Sequence, residues 1–280
     1  MTVTVAYPGR DGAHSAAASE QLFPTAELVP VASFSAVAEA TAEGAVDFGV
    51  LPIESTLVGS VAETHDLLFD SPLSIWGETV LPIRHCLVGP ADVPLEQIKT
   101  VRSHPVALDQ CRRLLAAMPW ATAIAAATTG DAAKQVAERG DASEAAIASE
   151  RAATLYGLHV VAGDVGDHAA YTRFVSLSTS TRVDRDHPGT WRTAFAFVTD
   201  HQPGALHRAI EPLGRHDVNF VQLVSRPIPT SPWRYRFDAV LDGHPLDPVI
   251  NEALAEVRRL TRKLVVFGSY PAAEFPGLAA

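Results

Sequence analysis

The chain has 280 residues, of which 47% are hydrophobic and 19% charged, and its formal net charge is −10 at neutral pH. No apolar run approaches the roughly 20 residues that a membrane helix needs, so the composition excludes an integral membrane protein and predicts a globular protein large enough for two domains. Residues 1–178 carry a net charge of −11 and residues 179–280 a net charge of +1. Neither half has the basic surplus of a nucleic-acid-binding domain, so we expect no nucleic-acid and no membrane partner.

The first residues and the cysteines favour a cytoplasmic protein. MTVTVAYPG leads directly into a predicted strand, with no basic segment followed by an apolar stretch. Cys86 and Cys111 stand far apart in the sequence, outside any CxxC motif. We expect two buried free thiols, with a disulfide or a reactive nucleophile as the alternatives.

Short apolar runs alternate with helical periodicity along residues 1–178. The predicted strands are TVTVAY, AVDFGVLPI, LSIWGETVLPI, IKTVRS, ATAIAAAT, EAAIAS and YTRFVSLS. The predicted helices are Ser15–Leu22, Ser35–Glu43, Ser60–Phe69, Val106–Met118, Ala132–Arg139 and Glu150–Tyr156. This pattern predicts an α/β fold with mostly parallel sheet, arranged as two small sheets that face each other across a cleft.

A polar stretch, STSTRVDRDHPGT at residues 178–190, predicts a linker to a second domain. Beyond it the predicted strands are TAFAFVTD, VNFVQLVSRP, WRYRFDAVLDG and KLVVFGSYP, and the predicted helices are Pro203–Arg215 and Leu246–Arg262. Their order is β-α-β-β-α-β, which is typical of a ferredoxin-like domain.

Three strand-to-helix junctions in the first domain combine free backbone N–H groups with a side-chain hydroxyl. They contain Gly9, Gly12 and Ser15; Glu54, Ser55, Thr56 and Gly59; and Ser103 with Pro105. Such junctions attract anions, so together they predict a cleft for a small polyanion. Ser103 is also fully explained as the cap of its own helix, and Glu54 suits a hydrogen-bonding role as well as a catalytic one.

The histidines and the glycines of this region predict no metal or nucleotide site. His14, His65, His85 and His104 lack metal-ligand spacing, so core, capping or surface positions are expected. Gly9 and Gly12 match neither a P-loop nor a dinucleotide fingerprint.

Arg173 stands within the predicted strand YTRFVSLS. Strand alternation points Arg173 to one face and Thr172 and Phe174 to the other, so both faces can serve one ligand only where the strand begins and its backbone turns. An ion pair on an edge strand, with Asp164 or Asp167, is the alternative to a ligand-binding role.

Four sequence blocks resemble the prephenate and arogenate dehydratase family over nearly the whole chain. They are Gly49–Glu54 with Gly59, Ser103–Cys111, Ala146–Leu158 and Thr172–Phe174, the last being similar to the family's T-R-F motif. In residues 191–272, Gly204–Leu206, Asn219 and Ser225–Pro227 are similar to the G-A-L and E-S-R-P motifs of the family's ACT regulatory domain.

The resemblance implies a fold and an assembly. The fold is a bilobed, periplasmic-binding-protein-like catalytic domain in residues 1–180, with two α/β subdomains around a cleft, followed by a ferredoxin-like ACT domain in residues 191–272. The assembly is a homodimer or homotetramer, because the family binds L-phenylalanine between its ACT domains.

The resemblance also implies an activity. This is prephenate dehydratase activity, a hydro-lyase reaction that converts prephenate to phenylpyruvate in phenylalanine biosynthesis without a cofactor or metal. Arg173 would hold a substrate carboxylate through its planar fork, and Thr172 would donate a hydrogen bond to the departing hydroxyl.

Site residues carried over from the resemblance fall into three groups. The expected catalytic residues are Thr172, Arg173 and Phe174. The expected substrate-binding residues are His14, Ser15, Glu54, Ser55, Thr56, Ser103 and His104. The expected phenylalanine-binding residues are Gly204, Ala205, Leu206, Asn219, Ser225 and Arg226.

Departures from the family pattern leave other functions open. They lie at Ala13, His14, Ser55, Val106 and Ala170 near the expected cleft, and at Val224, where the family's E-S-R-P motif has its glutamate. Arogenate dehydratase, a non-aromatising prephenate decarboxylase and a non-catalytic small-molecule sensor are the alternatives. Retention of both Thr172 and Arg173 favours the dehydratase.

Overall fold

Three β-sheets organise the chain in the computed structural model, which describes residues 2–182, 189–228 and 230–275. Part of the predicted linker, residues 183–188, lies outside the described residues. The strands are β1 Thr4–Pro8, β2 Glu27–Val31, β3 Phe48–Ser55, β4 Gly59–Ser60, β5 Ser74–Ile83, β6 Cys86–Gly89, β7 Thr100–Ser103, β8 Thr122–Ala125, β9 Glu144–Ala148, β10 His159–Ala162, β11 Ala170–Ser178, β12 Trp191–Val198, β13 Phe220–Pro227, β14 Tyr235–Asp242 and β15 Lys263–Pro271. The helices are α1 His14–Leu22, α2 Phe34–Ala42, α3 Ala62–Asp70, α4 Pro105–Asp109, α5 Arg112–Ala117, α6 Thr129–Arg139, α7 Glu150–Tyr156, α8 Ala205–Arg215 and α9 Pro248–Leu260, with a 3₁₀ turn at Leu95–Gln97.

Two of the sheets form two lobes. The first lobe has the strand order β2-β1-β3-β11-β5, with β4 beside β3, and the second lobe has the order β10-β6-β9-β7-β8. The α/β prediction is confirmed, but the prediction of mostly parallel sheet is wrong. The chain leaves the first lobe after β5 and returns as β11, which runs antiparallel to both β3 and β5. In the second lobe β6 is likewise antiparallel to β9 and β10, so both sheets are mixed.

The predicted helix over Val106–Met118 is two short helices in the structure. The chain breaks at Gln110 and Cys111, and the Asp167 carboxylate accepts hydrogen bonds from the N–H groups of Arg112 and Arg113, which are the first residues of α5. A carboxylate at this position favours a new helix start because it satisfies N–H groups that have no intrahelical partner.

The third sheet has the order β13-β14-β12-β15 and is antiparallel throughout, which is the predicted ferredoxin-like arrangement of β12 to β15. Alternate residues of its strands separate two cores. Phe195 and Phe197 pack under α8 and α9, whereas Ala194 and Ala196 pack against the first lobe. β15 crosses β5 so closely that a Cβ on Gly268 would lie 2.4 Å from the Ile75 carbonyl oxygen, a contact that excludes any other residue.

Both cysteines are free and buried, as the sequence predicted. Burial, with a smaller contribution from Asp167, raises the pKa of the Cys111 thiol to about 12. A thiol that stays protonated is a poor nucleophile, so this cysteine belongs to the core. Within the described ranges, no helix has both the length and the apolar character required to cross a bilayer.

Candidate active site

A cleft of about 570 Å³ separates the two lobes. The first lobe contributes residues from α1, β3 and β11, and the second lobe contributes residues from the β7–α4 and β8–α6 junctions. Six of the predicted site residues line it: His14, Ser15, Ser55, His104, Thr172 and Phe174.

Four helices begin at this cleft. The first residues of α1, α2 and α6 line it, and so does His104, whose Nδ1 accepts the Val106 N–H at the start of α4. Ser33 and Thr128 cap α2 and α6, but the N-cap of α1 is Ala13, which offers no side-chain bond. The backbone N–H groups of His14 and Ser15, the first residues of α1, therefore have no intrahelical acceptor, and both residues line the cleft. Helix N-termini carry partial positive charge, so their convergence favours an anion.

The described residues that line the cleft include no Asp, Glu, Lys or Arg side chain. Their polar groups are the hydroxyls of serines and threonines, the amide of Gln110 and the imidazoles of His14, His85 and His104. Hydrogen-bond donors and helix dipoles, rather than ion pairs, therefore form the polar surface of this site.

Thr172 lies where β11 meets β3 at the floor of the cleft. It is paired in register with Ser55, and both side chains line the cleft. The next pair, Arg173 with Glu54, is followed by a β-bulge in which Ile53 has no partner on β11. Bulges change the direction of neighbouring side chains, so this one helps to set the orientation of Thr172.

Two histidine rings lie close together in the cleft, one at the start of α1 and the other in the crossing between the lobes. The His14 ring lies edge-on to the His85 ring, with 6.3 Å between ring centroids, and His85 Nε2 lies 2.8 Å from Gln110 Oε1. Burial, assisted by the nearby His85, lowers the pKa of His14 to about 4. His14 is therefore neutral at neutral pH, and it can donate or accept a hydrogen bond without bringing a charge.

Arg173 does not line the cleft, in keeping with strand alternation. Its guanidinium lies on the opposite face of β11, with Nη1 3.1 Å from Glu54 Oε2 and Nε 3.7 Å from Glu78 Oε2. The alternative of an edge strand with Asp164 or Asp167 as partner is wrong, because β11 lies inside the sheet between β3 and β5.

Three of the predicted substrate-binding residues do not line the cleft and have contacts within the protein. Glu54 accepts a hydrogen bond from Gln222 Nε2 at 2.8 Å, and Thr56 exchanges hydrogen bonds with the backbone of Tyr171 at the start of β11. Ser103 is fully buried and donates to the Ile147 carbonyl at 2.6 Å, so it links β7 to β9. The cap of α4 predicted at Ser103 is in fact His104.

The predicted phenylalanine-binding residues have different surroundings in the described structure. Ala205 and Leu206, at the start of α8, line a cavity of about 160 Å³, and Gly204 precedes them with a positive φ of 75°. Asn219 donates to Asp242, and Arg226 pairs with Asp66 of the first lobe at 2.8 Å. Ser225 is exposed on β13.

Sequence reasoning missed His85, Gln110, Ser33 and Thr128 as cleft residues. Ser33 and Thr128 are helix caps, and a search for N-cap residues at every strand-to-helix junction would have found them. His85 and Gln110 come from the crossing between the lobes and from the break between α4 and α5. Neither feature has a local sequence signal.

Comparison with known proteins gives a consistent result. The family model described as prephenate dehydratase matches residues 5–182. The chain is 36% identical to arogenate dehydratase/prephenate dehydratase 2 of Arabidopsis thaliana, a chloroplastic protein, over 96% of this chain and 73% of the relative.

Two solved structures resemble the whole chain. A prephenate dehydratase from Arthrobacter aurescens, in complex with L-Phe, has a TM-score of 0.88 and 30% identity, over 96% of this chain and 90% of that chain. GqqA, described as a novel type of quorum-quenching acylase, has a TM-score of 0.87 and 30% identity, over 96% of this chain and 98% of that chain.

Proposed function

The chain belongs to the prephenate dehydratase family, and on that premise we propose that it converts prephenate to phenylpyruvate, with loss of carbon dioxide and water. One observation carries the proposal. Thr172 of the T-R-F sequence lies in a cleft that offers hydroxyls and helix N-termini to an anion.

The chemistry requires little beyond binding and proton supply. Prephenate carries two carboxylates and a ring hydroxyl, and aromatisation drives the loss of carbon dioxide and water, so the reaction needs neither an electron sink nor a metal. In the proposed complex the carboxylates lie against the helix N-termini, and this orients the ring. The Thr172 hydroxyl then donates to the departing ring hydroxyl as the ring carboxylate leaves as carbon dioxide.

The neutral imidazole of His14 fits this scheme. It can bind the substrate through a hydrogen bond, and it adds no charge that would favour one carboxylate over the other. Phe174 is buried beside Thr172 and forms an apolar floor. We assign Arg173 and Glu54 to the support of β11 and β3, because their side chains contact each other rather than the cleft.

The remaining proposals concern the whole molecule. We propose that residues 1–180 form a catalytic domain of the periplasmic-binding-protein type and that residues 191–272 form an ACT domain. We propose a homodimer or homotetramer assembled through that domain, with L-phenylalanine as a weakly binding effector, supported by the L-Phe complex of the Arthrobacter relative. A reducing compartment such as the cytoplasm is supported by the two free thiols.

The likeness to an acylase defines a competing activity to be tested. A serine acylase activates its nucleophile through a hydrogen-bonded base. Among the described residues of the cleft, no serine hydroxyl is hydrogen-bonded to a histidine. The dehydratase therefore fits the geometry better.

Product identification tests the proposed function. Purified protein is incubated at neutral pH with prephenate, and separately with arogenate, and an enzyme-free control is subtracted because prephenate aromatises spontaneously in acid. Phenylpyruvate from prephenate supports the proposal. A hydroxylated, non-aromatic product would transfer the assignment to the decarboxylase, and saturable binding without turnover would transfer it to a sensor.

A further inference from the structure

The C-terminal sheet touches the reverse side of the same two strands that hold the cleft. On β3 and β11, Ser55 and Thr172 face the cleft, while their chain neighbours Glu54 and Arg173 face the C-terminal sheet. A shift of the backbone at Glu54 and Arg173 therefore also shifts Ser55 and Thr172, because these residues are adjacent in their strands.

Two side chains of the C-terminal sheet contact this reverse side directly. Arg192 Nη1 of β12 lies 2.5 Å from Glu78 Oε1, and the other oxygen of Glu78 lies 3.7 Å from Arg173 Nε. Gln222 Nε2 of β13 donates to Glu54 Oε1 at 2.8 Å and to Ser60 Oγ at 3.3 Å. These contacts form an ion-pair network that connects Arg192, Glu78, Arg173 and Glu54 in that order. Gln222 binds the Glu54 carboxylate at the end of this network.

Burial makes this cluster rigid. The Glu78 side chain has no exposed surface, and those of Arg173 and Arg192 are 19% and 18% exposed. Removing Arg192 leaves the buried Glu78 carboxylate with one arginine instead of two, which costs more free energy than the loss of a surface pair. The backbone also contacts this cluster, because the N–H of Ala273 donates a hydrogen bond to Glu78 Oε1 at 2.8 Å.

We propose that Arg192 and Gln222 are positioning residues for the reaction in the cleft, acting through Glu78, Arg173 and Glu54 on the orientation of Thr172. The inference rests on the proposed function. On this inference the C-terminal sheet contributes to catalysis even when no effector is bound. Arg173 then connects that sheet to its chain neighbour Thr172.

The interface between the first lobe and the C-terminal sheet also offers a control substitution that leaves the ion-pair network intact. Asp66 of α3 pairs with Arg226 at 2.8 Å and with Arg236 at 2.7 Å, and it contacts none of Glu54, Glu78 or Arg173 in the described structure. Asp66→Asn therefore weakens the same interface without changing the ion-pair network.

Steady-state kinetics on the full chain separates the roles. Arg192→Gln is expected to lower kcat for prephenate about 10- to 100-fold with less than about a threefold change in KM, the effect of a small displacement at the reacting centre. Gln222→Ala, a milder change that keeps both buried ion pairs, should lower kcat in the same direction. Arg192→Lys should recover part of the loss, and Asp66→Asn should stay within about twofold of the wild type.

Thr172→Ala supplies the readout that distinguishes positioning from general destabilisation. If Arg192 acts through Thr172, Arg192→Gln should lower kcat much less in the Thr172→Ala background than in the wild type. Equal losses in Arg192→Gln and Asp66→Asn, or fully additive losses with Thr172→Ala, would overturn the inference while the dehydratase assignment stands. Failure of the wild type to convert prephenate would overturn both.

Discussion

Thr172 and Arg173 are adjacent in the chain but lie on opposite faces of β11, Thr172 in the cleft and Arg173 against Glu54 and Glu78. This division separates two functions that a single T-R-F sequence suggests for one site. The threonine can contact a ligand in the cleft, whereas the arginine pairs with Glu54 and Glu78 on the opposite face of the sheet.

The first prediction concerns Thr172. Thr172→Ala is expected to lower kcat about 10²- to 10⁴-fold with little change in KM, because it removes a proton donor and leaves the anion-binding helix N-termini in place. Thr172→Ser, which keeps a hydroxyl, should retain much of the activity. Thr154→Ala, on the exposed surface of α7, is the matched control and should behave as wild type. Near-normal turnover in Thr172→Ala would exclude the assigned role.

A second prediction concerns Arg173. Because Arg173 lies between two carboxylates, Arg173→Gln should reduce the free energy of unfolding by on the order of 3 kcal/mol, the usual result of breaking a buried ion pair. Its kcat should fall more than its KM rises, since the side chain does not line the cleft. Arg173→Lys should have a free energy of unfolding and a kcat between those of the wild type and Arg173→Gln, because a point charge cannot contact both carboxylates as a planar fork does. Urea unfolding and steady-state kinetics on the same samples check this, and a pure KM effect would instead indicate carboxylate binding.

These two residues also show how far sequence reasoning extends. Local patterns predicted β11 and the alternation that separates Thr172 from Arg173. They could not identify Glu78 as a partner, because β5 and β11 are brought together only by the chain's excursion through the second lobe. The same excursion explains the mixed sheets, since a strand returning from another lobe need not obey the parallel β-α-β pattern.

Short strands and caps were the other difficulty. β2, β6 and β10 have only four or five residues each. All three were missed, although β7 and β8 are equally short and were predicted, so length alone does not explain the difference. Ser103 has the right residue type for an N-cap, but it lies within β7, and the extended residue just before Pro105 is His104. Helix starts at the cleft were predicted well at α1 because glycines and a serine mark that junction.

The third prediction concerns pH and His14. Its folded-state pKa of about 4 lies below the ordinary value of 6.5, so the unfolded chain binds more protons than the native protein between these two values. Stability attributable to His14 is therefore complete above pH 6.5 and falls as the pH decreases toward 4, by at most about 3 kcal/mol. His14→Phe removes this titration. Urea unfolding at pH 7, 5 and 4 should show a smaller acid loss in His14→Phe than in the wild type, and parallel losses would contradict the assignment.

A fourth prediction concerns L-phenylalanine. Val224 stands where the family motif has glutamate, and valine can accept neither a hydrogen bond nor an ammonium charge. Calorimetry should therefore detect weak binding, and phenylalanine should cause little inhibition or change of oligomeric state. Val224→Glu should raise the affinity by about tenfold, equivalent to one added charge-assisted contact. Micromolar binding with strong inhibition in the wild type would show that the glutamate is dispensable.

The last prediction concerns the choice between prephenate and arogenate. Arogenate carries an ammonium group, for which a carboxylate in the site would be the natural partner, but the described residues lining the cleft include no Asp or Glu. The helix N-termini that converge there attract prephenate, with its two negative charges, more strongly than arogenate, whose ammonium group cancels one of its two carboxylate charges. We therefore expect kcat/KM to be at least about tenfold higher for prephenate, a difference of about 1.4 kcal/mol in transition-state binding.

Substitutions of Ser15, in the first turn of α1, test whether the positive field of the helix N-termini causes this preference. Ser15→Asp adds a negative charge to the cleft, whereas Ser15→Asn changes size and polarity by a similar amount without charge. If the field of the helix N-termini sets the preference, Ser15→Asp should lower kcat/KM for prephenate much more than for arogenate, and Ser15→Asn should affect both substrates alike. A wild-type preference for arogenate, or equal effects of the two substitutions, would show that contacts other than charge select the substrate.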